Sequence, residues 1–222
     1  MSYNPSEYWH ERGKVYKNNF KYNKNFYLQE ELIITYLNEN VFTPDESTKS
    51  VLELGCGYGR ITKLLLTKFP TLIKEYFAVD LSPHQIENAK KYVDSNNDKL
   101  IFSVSDIQSF DTNKKYDLVI LSEVLLHVLP SEIDSIIKKI LLLSDKHIIN
   151  IDWYEDSLPQ DYKIRATYNF IHQYESIYKK YTEPSTTTTT IKRIPIKRKK
   201  FIGTHDTIQS IFHVILEKNP TK

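Results

Sequence analysis

The amino-acid sequence predicts an α/β protein built around a parallel sheet, and two observations carry that expectation. Between residues 50 and 152, short apolar runs alternate with amphipathic stretches, which is the rhythm of successive βαβ units. The runs are four to six residues long and lack strict polar alternation, as expected of strands buried on both faces. The composition agrees: 222 residues, 40% hydrophobic and 26% charged, exclude a wholly disordered chain and fit a single domain, 1–222. Thirty basic and 28 acidic residues leave +2, too balanced for net charge to mark a polyanion binder. The one cysteine, Cys56, excludes an internal disulfide framework and a cysteine-only zinc site. No apolar run reaches the ~18–20 residues of a membrane span. The opening MSYNPSEYWHERGK lacks the apolar core of a secretory signal, so a soluble cytoplasmic protein with no membrane partner is expected.

The elements follow in order. Residues 1–49 are polar and aromatic and read as an N-terminal helical cap, with Leu28, Leu32, Ile33, Tyr36 and Leu37 at helical spacing over about 26–40. That helix ends before Thr43-Pro44, because a residue preceding proline avoids the helical region. In the core, 50–152, Val51–Leu54 predicts a strand, Arg60–Lys68 a helix and Glu75–Val79 a strand. Pro83–Asn96 predicts a helix, with Ser82 as N-cap and Pro83 at the first helical position. Leu100–Val104 and Tyr116–Leu121 predict strands, Ser131–Leu143 a helix and His147–Ile151 a fifth strand. Residues 153–190 read as an insertion carrying an amphipathic helix over Lys163–Thr182. The threonine run 186–190 after Pro184 is open between a strand entry and a mobile loop. Ile191–Ile196 and Ile208–Glu217 predict two terminal strands within 191–222.

Lys192, Arg193, Lys197, Arg198, Lys199 and Lys200 place six bases within nine residues; without them the chain has 24 basic against 28 acidic residues. Lysines on a strand edge discourage edge pairing, which is the plainer reading of this stretch. Docking of an anionic partner is the sharper one.

The most specific segment is Val51-Leu52-Glu53-Leu54-Gly55-Cys56-Gly57-Tyr58-Gly59-Arg60, between a predicted strand and a predicted helix. Glycines at i, i+2 and i+4 let the chain turn sharply and bring bare backbone against a ligand. The following helix offers unpaired N–H groups at its start. A dinucleotide fingerprint G-x-G-x-x-G does not fit, because residue 60 is Arg60 and residue 62 is Thr62 in its two possible frames. A P-loop is likewise absent.

The pattern E-x-G-x-G-x-G at Glu53–Gly59 resembles motif I of the class I S-adenosylmethionine-dependent methyltransferases, and the resemblance extends over roughly 50–152. Asp80 closes the second strand 21 residues beyond Gly59, Ser105-Asp106-Ile107 follows the third, and Tyr116–Val128 resembles the fourth strand with its loop. The resemblance implies a Rossmann-like three-layer sandwich with a mostly parallel seven-stranded sheet whose last strand is antiparallel. It implies S-adenosyl-L-methionine as cofactor, bordered by Glu53, Gly55, Cys56, Gly57, Gly59, Asp80, Leu81, Asp106, Ile107 and Ser122. In that scheme Asp80 takes the ribose hydroxyls and Asp106 the adenine amino group, although either residue can instead cap a turn. Cys56 is read as a small filler rather than a nucleophile. Glu53, ending a buried strand, should accept hydrogen bonds from loop backbone or a cofactor amine, since an unpaired buried carboxylate is costly.

Methyl transfer from a sulfonium is an in-line displacement, so alignment and exclusion of water are the protein's main tasks. A hydroxyl acceptor needs a base and an amine must be neutral. Bases are expected beyond the carboxyl ends of the strands, where open α/β sheets bind ligands. Glu123 and His127 follow the fourth strand, and Asp152, Trp153 and Tyr154 the fifth. His172, on the inserted helix, belongs to His172-Gln173-Tyr174, which resembles the His-Asp-Tyr element of some small-molecule methyltransferases with Gln173 in place of Asp. His127 and His172 are the catalytic candidates. Trp9, Arg12, Tyr16, Trp153 and Tyr154 are the substrate-side candidates, the first three as a lid or as anchors of the cap. Glu123, Asn150 and Asp152 only faintly echo the magnesium cluster of catechol-type enzymes, so no metal is expected. The leading expectation is methylation of a small-molecule acceptor at oxygen or nitrogen. The alternatives are an RNA or protein methyltransferase docking through 192–200, and a catalytically silent cofactor-binding subunit.

Overall fold

The computed structural model describes residues 4–15, 24–43, 47–93, 97–156, 158, 162–166, 168–182, 187–196 and 208–218. Tyr16, the segment 183–186 and Lys197, Arg198, Lys199 and Lys200 lie outside the described residues. The chain divides into two compact units, Met1–Asp111 and Thr112–Lys222.

The first unit holds α1 (Pro5–Gly13), α2 (Lys24–Asn40), β1 (Lys49–Leu54), α3 (Arg60–Lys68), β2 (Ile73–Asp80), α4 (Pro83–Tyr92) and β3 (Leu100–Val104). Every residue of β1 is buried, as its unbroken apolar run requires. β1 pairs parallel with β2, and β2 parallel with β3. α3 turns Ile61, Thr62, Leu65 and Leu66 inward, one stripe at helical spacing. α4 starts as its sequence dictates: Ser82 Oγ accepts the Gln85 N–H at 3.4 Å and Pro83 occupies the first turn. α2 buries Gln29, Ile33 and Leu37, spaced by four.

The second unit holds β4 (Tyr116–Ser122), a 3-10 turn (Leu125–His127), α5 (Ile133–Leu143), β5 (Ser144–Tyr154), β6 (Tyr162–Ala166), β7 (Asn169–His172), α6 (Tyr174–Thr182), β8 (Thr187–Pro195) and β9 (Ile208–Lys218). α5 buries Ile133, Ile136, Ile137, Ile140 and Leu143. β4 pairs parallel with β5, while β9 runs antiparallel to both β5 and β8. The seven-stranded sheet has the order β3-β2-β1-β4-β5-β9-β8. The expected architecture is therefore present, with the last strand of the chain as the antiparallel one.

Two expectations change. The helix expected over Lys163–Thr182 begins only at Tyr174; β6 and β7 form an antiparallel hairpin before it, with Ile164 opposite Phe170. Helical spacing of apolar residues holds from Ile171 onward, whereas upstream Ile164 is 61% exposed and Phe170 is buried. His172 consequently ends a strand and does not lie on a helix. The threonine run resolves as strand, with Thr187–Thr190 opposite Ile215–Lys218, in keeping with the β preference of β-branched residues.

Candidate active site

The glycine loop of the first unit is fixed by its own backbone. The Gly55 and Cys56 N–H groups both donate to the Val79 carbonyl, at 2.7 and 2.9 Å, so the chain reverses immediately after β1. Gly55, Gly57 and Gly59 have φ of 73°, 54° and 84°, the left-handed region that side chains disfavour. Asp80 Oδ2 accepts the Gly57 N–H at 2.8 Å and Oδ1 accepts the Ser82 N–H at 2.9 Å. One carboxylate thus ties the loop after β1 to the turn after β2. Burial pushes its pKa up to about 6, against the pull of the two N–H groups. Leu81, between Asp80 and Ser82, is half-buried.

Within the fold, Glu53 is held by side chains. Its Oε2 accepts the Thr62 hydroxyl at 2.5 Å and the Tyr76 hydroxyl at 2.7 Å, both side chains rather than loop backbone. Burial pushes Glu53 up to about 7, against the pull of the Thr62 and Tyr76 hydroxyls. Cys56 is buried, and burial next to Asp80 and Glu53 raises its thiol well above the ordinary range, which fits a filler and not a nucleophile. Asp106 is exposed and caps its own turn: Oδ1 accepts the Ser109 N–H at 2.7 Å and Oδ2 the Ser109 hydroxyl at 2.9 Å, with Ile107 half-buried beside it.

One polar side chain of the cradle is not evident from sequence. Gln85 is 2% exposed, its Oε1 has no hydrogen-bond partner among the described residues, and its Nε2 lies 3.7 Å from where a Cβ on Gly57 would stand. A buried acceptor of this kind normally has a donor. Gln85 falls within the first turn of α4, but no short motif singles it out.

The N-terminal cap reaches the same place. The Gly13 carbonyl accepts from Asn88 Nδ2 at 3.4 Å, the His10 and His84 rings lie 5.2 Å apart, and a Cβ on Gly13 would run into Ser82 Oγ. α1 therefore rests on the start of α4, two residues beyond Asp80. Within it, Trp9 is half-buried and edge-on to Tyr8 at 5.2 Å, and Arg12 is exposed.

In the second unit the candidates gather beyond β4 and β5. Ser122 closes β4 and is half-buried. Glu123 follows with φ 58°, the one non-glycine residue with positive φ among the described residues. The 3-10 turn carrying His127 is pinned from two sides. Asp152, fully buried, accepts the Leu126 N–H through Oδ2 at 3.1 Å and the Trp153 N–H through Oδ1 at 3.0 Å. His172 Nε2 donates to the Val128 carbonyl at 3.0 Å, and His127 Nδ1 lies 2.9 Å from the Tyr168 carbonyl. Burial pushes both imidazoles down to about 4, leaving them neutral near pH 7. They hold backbone, and neither is arranged as a strong base. Trp153 is half-buried, whereas Tyr154 packs into the core against Phe212 at 5.5 Å with Arg193 4.2 Å above its ring. Arg193 also meets Asp156 at 2.8 Å and Glu175 at 3.5 Å, so this base of the 192–200 stretch is engaged within the fold. Among the described residues no group of three or more His, Cys, Asp or Glu is arranged to hold a metal ion, and no helix is long and apolar enough to cross a membrane.

Residues 51–144 match the family described as "Methyltransferase domain". Residues 51–144 carry a methyltransferase domain. Over 88 residues it is 40% identical to malonyl-[acyl-carrier protein] O-methyltransferase of Priestia megaterium, covering 40% of this chain and 30% of that one. Its curated relatives are longer: the chain spans 25% to 33% of their lengths. The methyltransferase domain superposes on magnesium protoporphyrin IX methyltransferase of Synechocystis PCC 6803 with bound S-adenosylmethionine (TM-score 0.68, 15% identity, 97% of this chain and 98% of that one). It also superposes on N-methyltransferase NodS of Bradyrhizobium japonicum in complex with S-adenosylhomocysteine (TM-score 0.67, 16% identity, 98% and 100%). The cofactor of this domain is S-adenosyl-L-methionine. The cradle fits such a group: three left-handed glycines keep its wall free of side chains, Asp80 offers a fixed carboxylate, and Gln85 Oε1 is a buried acceptor awaiting a donor.

Proposed function

We propose that the protein transfers a methyl group from S-adenosyl-L-methionine to an oxygen or nitrogen of a small-molecule acceptor. The observation that carries this reading is Asp80, braced at both oxygens by the backbone of two consecutive turns. A carboxylate fixed by N–H donors keeps its remaining lone pairs aimed outward, which suits a vicinal pair of ribose hydroxyls. Bound S-adenosylmethionine supplies an activated methyl, and the chain's own residues supply alignment. Gly55 and Gly57 offer bare backbone, Gln85 Oε1 accepts from a donor beside the loop, and Leu81, Asp106 and Ile107 border the nucleoside. Trp9 and Arg12 on α1 cover the turn after β2, and Trp153 meets the acceptor. Aromatic cover excludes water from the displacement. His127 and His172 set the turn after β4 and thereby the acceptor side. Kinship with an O-methyltransferase and likeness to an N-methyltransferase support both acceptor atoms.

Calorimetry with S-adenosylhomocysteine tests the cofactor side. Asp80→Asn should weaken binding about tenfold or more, the loss expected when a charged acceptor becomes neutral. Unchanged affinity would remove Asp80 from the ribose. Labelled S-adenosylmethionine offered to metabolite, RNA and protein fractions then identifies the acceptor class; label confined to RNA or protein would overturn the small-molecule reading.

A further inference from the structure

Glu123 occupies a place in the fold that a simple turn would give to another residue. Its φ of 58° is left-handed, and a residue with a long side chain is strained there, whereas glycine or asparagine is not. The strain is held by neighbours. The Glu123 N–H donates to the Ile151 carbonyl at 2.8 Å, and Gln209 Nε2 donates to Glu123 Oε1 at 2.5 Å. Gln209 is a β9 residue paired with Trp153 of β5, and it is 1% exposed. A buried amide is thus committed to aiming one half-buried carboxylate beyond the ends of β4 and β5, the edge at which open α/β sheets bind ligands. The two histidines at that edge are neutral and bound to backbone carbonyls. Asp152 behind them is buried and takes two backbone N–H groups. Of the two carboxylates at this edge, Asp152 is fully buried and Glu123 is half-buried, held by a side-chain amide.

We propose that Glu123 is a catalytic residue that receives the proton of the methyl acceptor, that Gln209 is the positioning residue that aims it, and that the acceptor is therefore a hydroxyl or an amine and not a carboxylate. The inference rests on the small-molecule reading above. The acceptor's oxygen or nitrogen forms the new bond to the methyl carbon as the sulfur–carbon bond breaks, its electron pair remaining on sulfur. The acceptor's proton passes to the Glu123 carboxylate and on to water. An acceptor carboxylate has no proton to give and meets like charge at the same point.

The test uses the full chain, labelled S-adenosylmethionine, and phenols, amines and carboxylic acids as probes. Phenol, benzylamine and benzoate are also titrated into protein loaded with S-adenosylhomocysteine. Methyl ethers or methylamines are expected and methyl esters are not, with benzoate binding at least tenfold more weakly than benzylamine. Glu123→Gln keeps the acceptor for Gln209 and should fold, lower kcat at least tenfold and leave S-adenosylhomocysteine affinity within twofold. Gln209→Met should lower kcat about fivefold while the acceptor KM moves less than twofold, a split that general loosening would not give. Methyl esters, benzoate binding as tightly as benzylamine, no probe binding at all, or Glu123→Gln turning over within threefold of the unsubstituted protein would each overturn the proposal. Label appearing only in RNA or protein fails the small-molecule reading instead, and Glu123→Gln assayed on that product still decides the role of Glu123.

Discussion

Gly59 illustrates how much a single residue can specify. Its φ of 84° already favours glycine, and a Cβ there would stand 2.7 Å from Val93 Cγ2 and 3.2 Å from Ala89 Cβ on α4. The turn and the packing of the loop against the helix therefore ask for the same absence of a side chain. Gly59→Ala should destabilise the protein by about 2–4 kcal/mol, combining backbone strain with overpacking. Denaturant titration of Gly59→Ala with Val93→Ala checks the division: the second change should recover part of the loss by removing the clash, and the strain at φ should persist. This residue was legible because glycine's freedom is written directly into the sequence, and the 21-residue spacing to Asp80 placed the acid that the loop binds. Gln85 and Glu123 were less legible. Glutamine in the first turn of a helix looks like solvated surface, and nothing in the letter of a glutamate announces a positive φ. Both become conspicuous only when burial and backbone angles are known.

Among the elements, the hairpin of β6 and β7 was misread for a definable reason. Ile171, Tyr174, Ile177, Tyr178 and Tyr181 keep helical spacing, and Phe170 extends the pattern backward into residues that pair as strand. The hairpin delivers His172 to the Val128 carbonyl, something a continuous helix over 163–182 would not have implied. A positioning role follows for His172 in place of the proton-transfer role its type suggested. His172→Phe leaves the half-buried Val128 carbonyl without that donor, a loss of about 1 kcal/mol. Slower turnover is expected with a pH–rate profile of unchanged shape. A profile that loses one limb in the variant would return His172 to proton transfer. The strand–helix alternation of 50–152 was read to within a few residues because each βαβ segment carries its own period. The sites beyond β5 depend on contacts far apart in sequence, such as Gln209 with Glu123, which no local pattern encodes.

Across the whole molecule, burial moves carboxyls and imidazoles in opposite directions: it raises Glu53, Asp80 and Asp152 and lowers the imidazoles of the second unit. In Met1–Asp111, burial pushes Glu53 up to about 7 and Asp80 up to about 6. A carboxyl with a raised folded pKa contributes stability that is fully present below its unfolded value near 4.5 or 3.8 and is lost as pH rises through the folded value. In Thr112–Lys222, burial pushes His127 and His172 down to about 4 and His213 to about 3. A histidine with a lowered folded pKa does the reverse: stability falls as pH drops below the unfolded value of 6.5, because only the unfolded chain takes up the proton. Between pH 7 and pH 5 each of these histidines removes up to about 2 kcal/mol, Glu53 returns a similar amount to its own unit, and buried Asp152, raised well above the carboxylate range, offsets part of the loss from the three histidines in the second. Acidification should therefore weaken β4, β5 and β9 more than β1 and β2. Native-state hydrogen exchange, corrected for intrinsic rates, measures this directly. Protection in Leu118–Leu121 and Ile148–Ile151 should drop more between pH 7 and pH 5 than in Val51–Leu54. Substituting His213→Leu should remove part of the difference, because that site then takes up no proton on unfolding. Equal loss in all three strands, or no change with His213→Leu, would mean that these buried imidazoles do not govern the acid response.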